Sequence, residues 1–92
     1  MERGLEAYVS REVLNIFREH TLVAVNETLP GRIEVDIHLR DKNGMDVFVE
    51  ISARKIERAM LSKILNLYSS ICNIEPPPKK FELVVVGPEV AA

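Results

Sequence analysis

Two short runs in the middle of the chain place acidic side chains where they could share a cation. From Arg32 to Arg40, Ile33, Val35, Ile37 and Leu39 point one way and Glu34, Asp36, His38 and Arg40 the other. From Asp46 to Ser52, Val47, Val49 and Ile51 stand opposite Asp46, Phe48, Glu50 and Ser52. Such strict alternation predicts two strands, and Asp41-Lys42-Asn43-Gly44 supplies the turn between them. Directly paired residues share a face, so like faces meet only when the paired residue numbers sum to an even value. A sum of 86 pairs Asp36 with Glu50, His38 with Phe48 and Glu34 with Ser52. It leaves a five-residue loop from Asp41 to Met45, an acceptable hairpin length. Two carboxylates side by side on neighbouring strands destabilise a sheet unless something neutralises them. Hard oxygen ligands suit magnesium or manganese, which makes Asp36 and Glu50 candidate metal ligands and Glu6 a candidate third. The competing reading is a solvated sheet face on which strand twist holds the acids apart.

The remaining elements must position that pair. Leu5, Val9, Val13 and Ile16, widened by Tyr8 and Phe17, recur at helical spacing and predict a helix from about Gly4 to His20, with Glu6 bordering its apolar face. Thr21 to Thr28 is β-branched and ends at Pro30-Gly31, the signature of a strand and a turn. A second helix is expected from Arg54 to about Asn73. Its apolar rows are Ile56, Met60, Ile64, Leu67 and Ile71, then Leu61, Leu65, Tyr68 and Cys72. Pro76-Pro77-Pro78 cannot continue a helix, and Phe81 to Val86 reads as a strand buried on both faces inside a mixed or parallel sheet. The predicted fold is an α/β domain of order αβββαβ, a four-stranded mixed sheet flanked by two helices. It spans residues 1–92 without an internal repeat or linker.

Composition narrows the function classes. The 92 residues are 47% hydrophobic and 28% charged, which is globular rather than disordered. One cysteine excludes an intramolecular disulfide framework and a zinc site built on paired cysteines. No apolar run approaches the roughly 20 residues needed to span a bilayer, and no secretory segment leads the chain, so a cytoplasmic, reducing setting is expected. The net charge of −2 is unevenly spread: residues 1–52 balance at −4 and residues 53–80 at +4. An acidic half beside a basic one fits a cation site next to a polyanion.

Residues and element order together resemble the PD-(D/E)xK nuclease superfamily, the restriction-endonuclease-like fold. Ile33-Glu34-Val35-Asp36, a turn, and Val47-Phe48-Val49-Glu50-Ile51-Ser52 look like its hallmark hairpin. Within it, the chain is most similar to uncharacterised, mainly archaeal nuclease-like proteins. Gly4-Leu5-Glu6-Ala7, Asp36, Glu50, Tyr68 and Leu83–Val86 match their pattern over nearly the whole length. The resemblance implies that Asp36, Glu50 and the main-chain carbonyl of Ile51 bind magnesium or manganese, with Glu6 holding a metal-bound water or a second metal. It implies a metal that activates water against a DNA phosphodiester, and a lysine two residues after the glutamate that orients the nucleophile. Position 52 is serine, however, which carries no charge for that role. Lys55 is the nearest substitute in sequence, with Lys63 and Arg54 as alternatives. The reading taken from this is a degenerate nuclease-like domain that binds nucleic acid or assembles as a homodimer, with weak or no catalysis. The alternatives are an active magnesium-dependent deoxyribonuclease with a relocated lysine, and a small α/β protein-interaction domain without a metal site.

Arg54, Arg58 and Lys63 are the candidate phosphate contacts, against the commoner reading of a solvated helix face. No aromatic lies among these cations, so base stacking is not indicated there. His38 is read as a cross-strand partner of Phe48 before a metal neighbour, Ser52 as an N-cap of the second helix, Cys72 as a small packed hydrophobe, and Tyr68 and Met60 as core residues. Nothing supports a serine or cysteine nucleophile or a Gly-rich phosphate loop. Members of the resembled family continue past the last strand, whereas this sequence stops at Glu89-Val90-Ala91-Ala92. The chain therefore reads as a minimal core or as a fragment, and an open sheet edge would favour a homodimer.

Overall fold

A computed structural model describes residues 11–52 and 54–88. A helix, α1, covers residues 11–16. Three strands follow, β1 (Thr21–Leu29), β2 (Ile33–Arg40) and β3 (Asp46–Ile51), then a second helix, α2 (Leu61–Cys72), and a last strand, β4 (Phe81–Val86). The strands form one sheet in the order β1-β2-β3-β4. The first two neighbouring pairs are antiparallel and the β3–β4 pair is parallel. This is the mixed four-stranded α/β arrangement that the alternation predicted.

The hairpin register agrees with the sum of 86: Ile37 pairs with Val49, His38 with Phe48, Leu39 with Val47 and Arg40 with Asp46. Asp41 ties the five-residue loop, its Oδ1 accepting from the amides of Asn43 and Met45 at 2.8 Å each. Gly44 takes φ 83, which a side chain rarely tolerates. The ladder stops at Ile37–Val49, so Asp36–Glu50 and Glu34–Ser52 are not backbone pairs.

The ladder stops because β2 changes faces. Ile37 and Leu39 pack with Val13, Val47 and Val49 on the α1 side. Val35 packs with Phe48 and Ile71 on the α2 side, joined by the half-buried Ile33. The alternating run is thus two half-strands whose apolar residues face opposite layers, divided at Asp36. On the neighbouring strand Val25 pairs with Ile37 and Glu27 with Val35, which sets Asn26 opposite Asp36. Asn26 has φ 50, the left-handed conformation that lets a strand kink.

Several expectations are corrected. The first helix does not reach His20: residues 17–19 are a turn, closed by Phe17 N donating to Val13 O. Its core contacts are Val13, Leu14 and Phe17, while Ile16 is 73% exposed because the helix ends on it. Glu6, with Leu5, Tyr8 and Val9, lies outside the described residues. The second helix starts at Leu61 and not at Arg54. Glu57 is extended, with φ −125 and ψ 163, and Arg58–Met60 form a 3-10 turn. The stretch before them lies against β4's end. A Cβ on Gly87 would sit 2.9 Å from Ile56 Cγ1 and 3.0 Å from Arg54 O, so only glycine permits this approach. Ser52 therefore caps no helix. Its hydroxyl donates to Arg54 O at 2.9 Å and accepts from Arg54 N at 3.1 Å.

On α2 only the first apolar row is inward, through Leu67 and the fully buried Ile71. Leu61, Leu65, Tyr68 and Cys72 are exposed, so neither Tyr68 nor Cys72 is a core residue, and Met60 is half-buried. β4 is half-buried along most of its length because it pairs with β3 alone and stands at the sheet's edge.

Candidate functional site

The kink at Asp36 explains what its side chain does. With the backbone ladder ended one residue earlier, the Ile51 amide donates instead to Asp36 Oδ2, at 2.6 Å. The carboxylate thus takes the place of a main-chain acceptor and is fixed at the mouth of the splayed hairpin. Glu50 precedes that amide and is half-buried beside Asp36. Its Oε1 is buried and has no hydrogen-bond partner among the described residues. Burial first, and then the charge of Asp36, push the Glu50 carboxyl up to about 7, and the charge of Glu34 adds a smaller push. An Asp36 main-chain hydrogen bond and the Lys63 charge act the other way. An unpartnered buried carboxylate oxygen costs free energy, and a second acid beside it raises that cost.

The site residues expected from sequence divide in two. Asp36 and Glu50 come together, and Lys63, in the first turn of α2, is the cation whose field reaches Glu50. Arg54 and Lys55 are exposed in the stretch before the helix, and Arg58 is exposed in the 3-10 turn, so the basic residues do not share one helical face. Glu6 is not among the described residues, and within those no three or more His, Cys, Asp or Glu side chains are grouped to hold a metal. The donor set is a carboxylate pair with one free oxygen. It suits a hard divalent cation, with further ligands drawn from water or phosphate oxygens.

A second polar cluster was only half seen. His38 stacks on Phe48 as expected, with ring centroids 4.6 Å apart. Its Nδ1 lies 2.7 Å from Glu27 Oε1 and its Nε2 lies 2.8 Å from Asp46 Oδ1. Arg40 adds a 3.1 Å ion pair to the same Asp46 oxygen. Both ring nitrogens are thus engaged by Glu27 and Asp46 rather than by the Asp36–Glu50 pair. The signal for Glu27 was hidden, because only the kink at Asn26 turns it toward His38's face.

No family model matches the chain, and no curated protein matches it. Solved structures do. The crystal structure of a repair endonuclease from Pyrococcus abyssi superposes with a TM-score of 0.71 at 19% identity, covering 94% of this chain and 38% of that one. A structure of an EndoMS–dsDNA complex gives a TM-score of 0.62 at 18% identity, over 90% of this chain and 36% of that one. EndoMS in apo form gives 0.63 at 18%, over 94% and 38%. The chain therefore spans less than two-fifths of the length of the structures it matches. At these identities the likeness is one of architecture: the chain has the α/β endonuclease-like fold of these solved structures.

Proposed function

We propose that residues 1–92 form a single nuclease-like domain that binds nucleic acid beside a divalent cation, magnesium or manganese, held by Asp36 and Glu50. The observation that carries this is the buried, unpartnered Oε1 of Glu50 next to a second carboxylate. A bound cation would offset both charges and polarise a phosphodiester oxygen. Glu6 is the proposed third acid. The exposed Arg54, Arg58 and Lys63 would meet phosphates, and DNA is the proposed polymer because EndoMS, of the same fold, has been seen with double-stranded DNA. Catalysis is proposed to be weak or absent, because the Ser52 hydroxyl is occupied by the Arg54 backbone and supplies no charge.

A second reading, an active magnesium-dependent deoxyribonuclease, rests on Lys63. Its charge acts on Glu50, which supports Lys63 beside Lys55 as a candidate for the relocated lysine. Assembly as a homodimer through a sheet edge is supported by β1, whose Leu22, Val23 and Val25 are exposed on an outer strand. No helix among the described residues is long and apolar enough to cross a membrane, and a cytoplasmic setting is part of the proposal.

The test is a manganese titration followed by thermal unfolding. A rise in Tm that disappears in Asp36→Ala and in Glu50→Ala supports the site. No rise in the wild type overturns it and leaves an interaction domain without a metal. Incubation with DNA and manganese then separates the two readings: cleavage lost in Lys63→Ala selects the active nuclease.

A further inference from the structure

At the opposite end of the same sheet face, the start of β4 and the end of α2 enclose a hollow of about 370 Å³. Tyr68 and Phe81 line it with their rings 4.8 Å apart and tilted by 35°. Phe81 in turn meets Phe48 at 5.8 Å, which anchors the pair in the core. Tyr68 remains 45% exposed, an unusual position for a large ring already stacked on one side. Met45 and Pro78 make apolar walls, and the exposed Lys79 and Lys80 stand at the rim. Among the described residues neither lysine forms an ion pair, and no acid lines this hollow.

Lys79 and Lys80 also border the neighbouring hollow that Asp41 and Asp46 line, without an ion pair to either. An aromatic surface open on one side, apolar walls and two lysines at the rim fit a flat ring attached to negative charge. We propose that this hollow is a subsite for an unpaired nucleobase of a nucleic-acid strand, stacked on Tyr68 with the adjoining phosphates on Lys79 and Lys80. A base still paired inside a duplex could not enter it, so the ligand is single-stranded or locally opened. The subsite extends the proposed function, since it names which form of nucleic acid the domain holds. Phe81 pairs with Asp46 and Val85 with Glu50 along the same two strands. The hollow therefore lies four residues, about 13 Å, from the carboxylate pair, a distance that a few nucleotides cover along α2.

Cys72 lines the hollow, is exposed and is the only cysteine in the chain, so its alkylation rate reports occupancy directly. The experiment uses the full chain in EDTA with an eight-residue oligothymidylate. The strand is expected to slow alkylation of Cys72, while a blunt duplex and inorganic polyphosphate leave it nearly unchanged. Tyr68→Ala should weaken oligothymidylate binding about tenfold and Tyr68→Phe should retain it. Lys79→Ala/Lys80→Ala should flatten the log–log salt dependence by about 1.4. Equal protection by polyphosphate or duplex, or equal binding by Tyr68→Ala, overturns the subsite. Manganese titration without nucleic acid tests the carboxylate pair separately. Protection of Cys72 in Asp36→Ala supports the subsite even if the cation site fails. Cation binding with Cys72 unprotected overturns the subsite alone.

Discussion

The hairpin carries two acidic clusters less than one strand length apart, and they are built on opposite principles. In the first, Glu27 and Asp46 close on His38, which is only 7% exposed, and Arg40 covers the outer side of Asp46. Both ring nitrogens are used at 2.7 and 2.8 Å, and three strands are tied together by side chains that satisfy one another. In the second, Asp36 and Glu50 share a splayed register, one oxygen has no partner among the described residues, and Lys63 is the described cation whose charge acts on Glu50. The first carboxylate cluster holds the fold together with partners from its own strands. The second, with an unpartnered oxygen among the described residues and a carboxyl pushed up to about 7, is the arrangement that the proposed cation would complete.

Breaking the first cluster should be the more costly change. His38→Ala takes the ring partner from two part-buried carboxylates and removes the ring against Phe48, a loss of about 3 kcal/mol. It should be read as a lower urea midpoint with an unchanged slope. Adding Glu27→Gln and Asp46→Asn to that variant should restore part of the loss, since much of it comes from unpaired charge. A triple variant no more stable than His38→Ala would show that packing alone is responsible.

The second cluster should respond with the opposite sign. The ordinary glutamate value is 4.5, and in the folded protein Glu50 sits near 7. Below pH 4.5 both folded and unfolded chains hold the proton. Between 4.5 and 7 the unfolded chain releases it first, so Glu50 makes stability fall as pH rises, and above 7 the whole penalty is present. Glu50→Gln should therefore stabilise the cation-free protein at pH 8 and not at pH 4. The gain is on the order of 1 kcal/mol once the group's partial solvent exposure is allowed for. The same variant should lose the response to manganese. For the wild type, the apparent affinity for manganese should drop about tenfold per pH unit below pH 7, because the cation competes with the proton. A flat profile by isothermal titration would detach the raised carboxyl from the cation site. Asp36→Ala should instead lower stability by about 1–2 kcal/mol, since it orphans the Ile51 amide as well as removing a ligand.

How much of this was legible follows from what period-2 alternation can encode. Alternation and loop length gave the hairpin, and the requirement that like faces pair gave the register, which holds for His38 opposite Phe48. Alternation presumes a regular strand, however. It could not show that a left-handed Asn26 divides β2 at Asp36, which is the event that makes the site. Nor could it place Glu27, whose face depends on the same kink. Spacing alone overextends the second helix, because Ile56 continues the period of Met60 and Ile64. Its real role is an extended contact against Gly87, a tertiary demand that overrides local pattern. The vacancy at Glu50 Oε1 is a fact of packing that no residue type announces.

The smallest effect sharpens the contrast within the first cluster. Asp46 has two side-chain neighbours at similar distances, His38 at 2.8 Å and Arg40 at 3.1 Å, but Arg40 is about half exposed and His38 is buried. Water already screens the arginine, so Arg40→Ala should cost no more than about 0.5 kcal/mol and the cost should fade as salt is raised. The His38 contribution should persist at high salt, since little solvent reaches it. If Arg40→Ala instead matched His38→Ala, Asp46 would be held mainly from outside. The first cluster would then be a surface ion pair, and its difference from Asp36 and Glu50 would lie in exposure rather than in which groups the chain supplies.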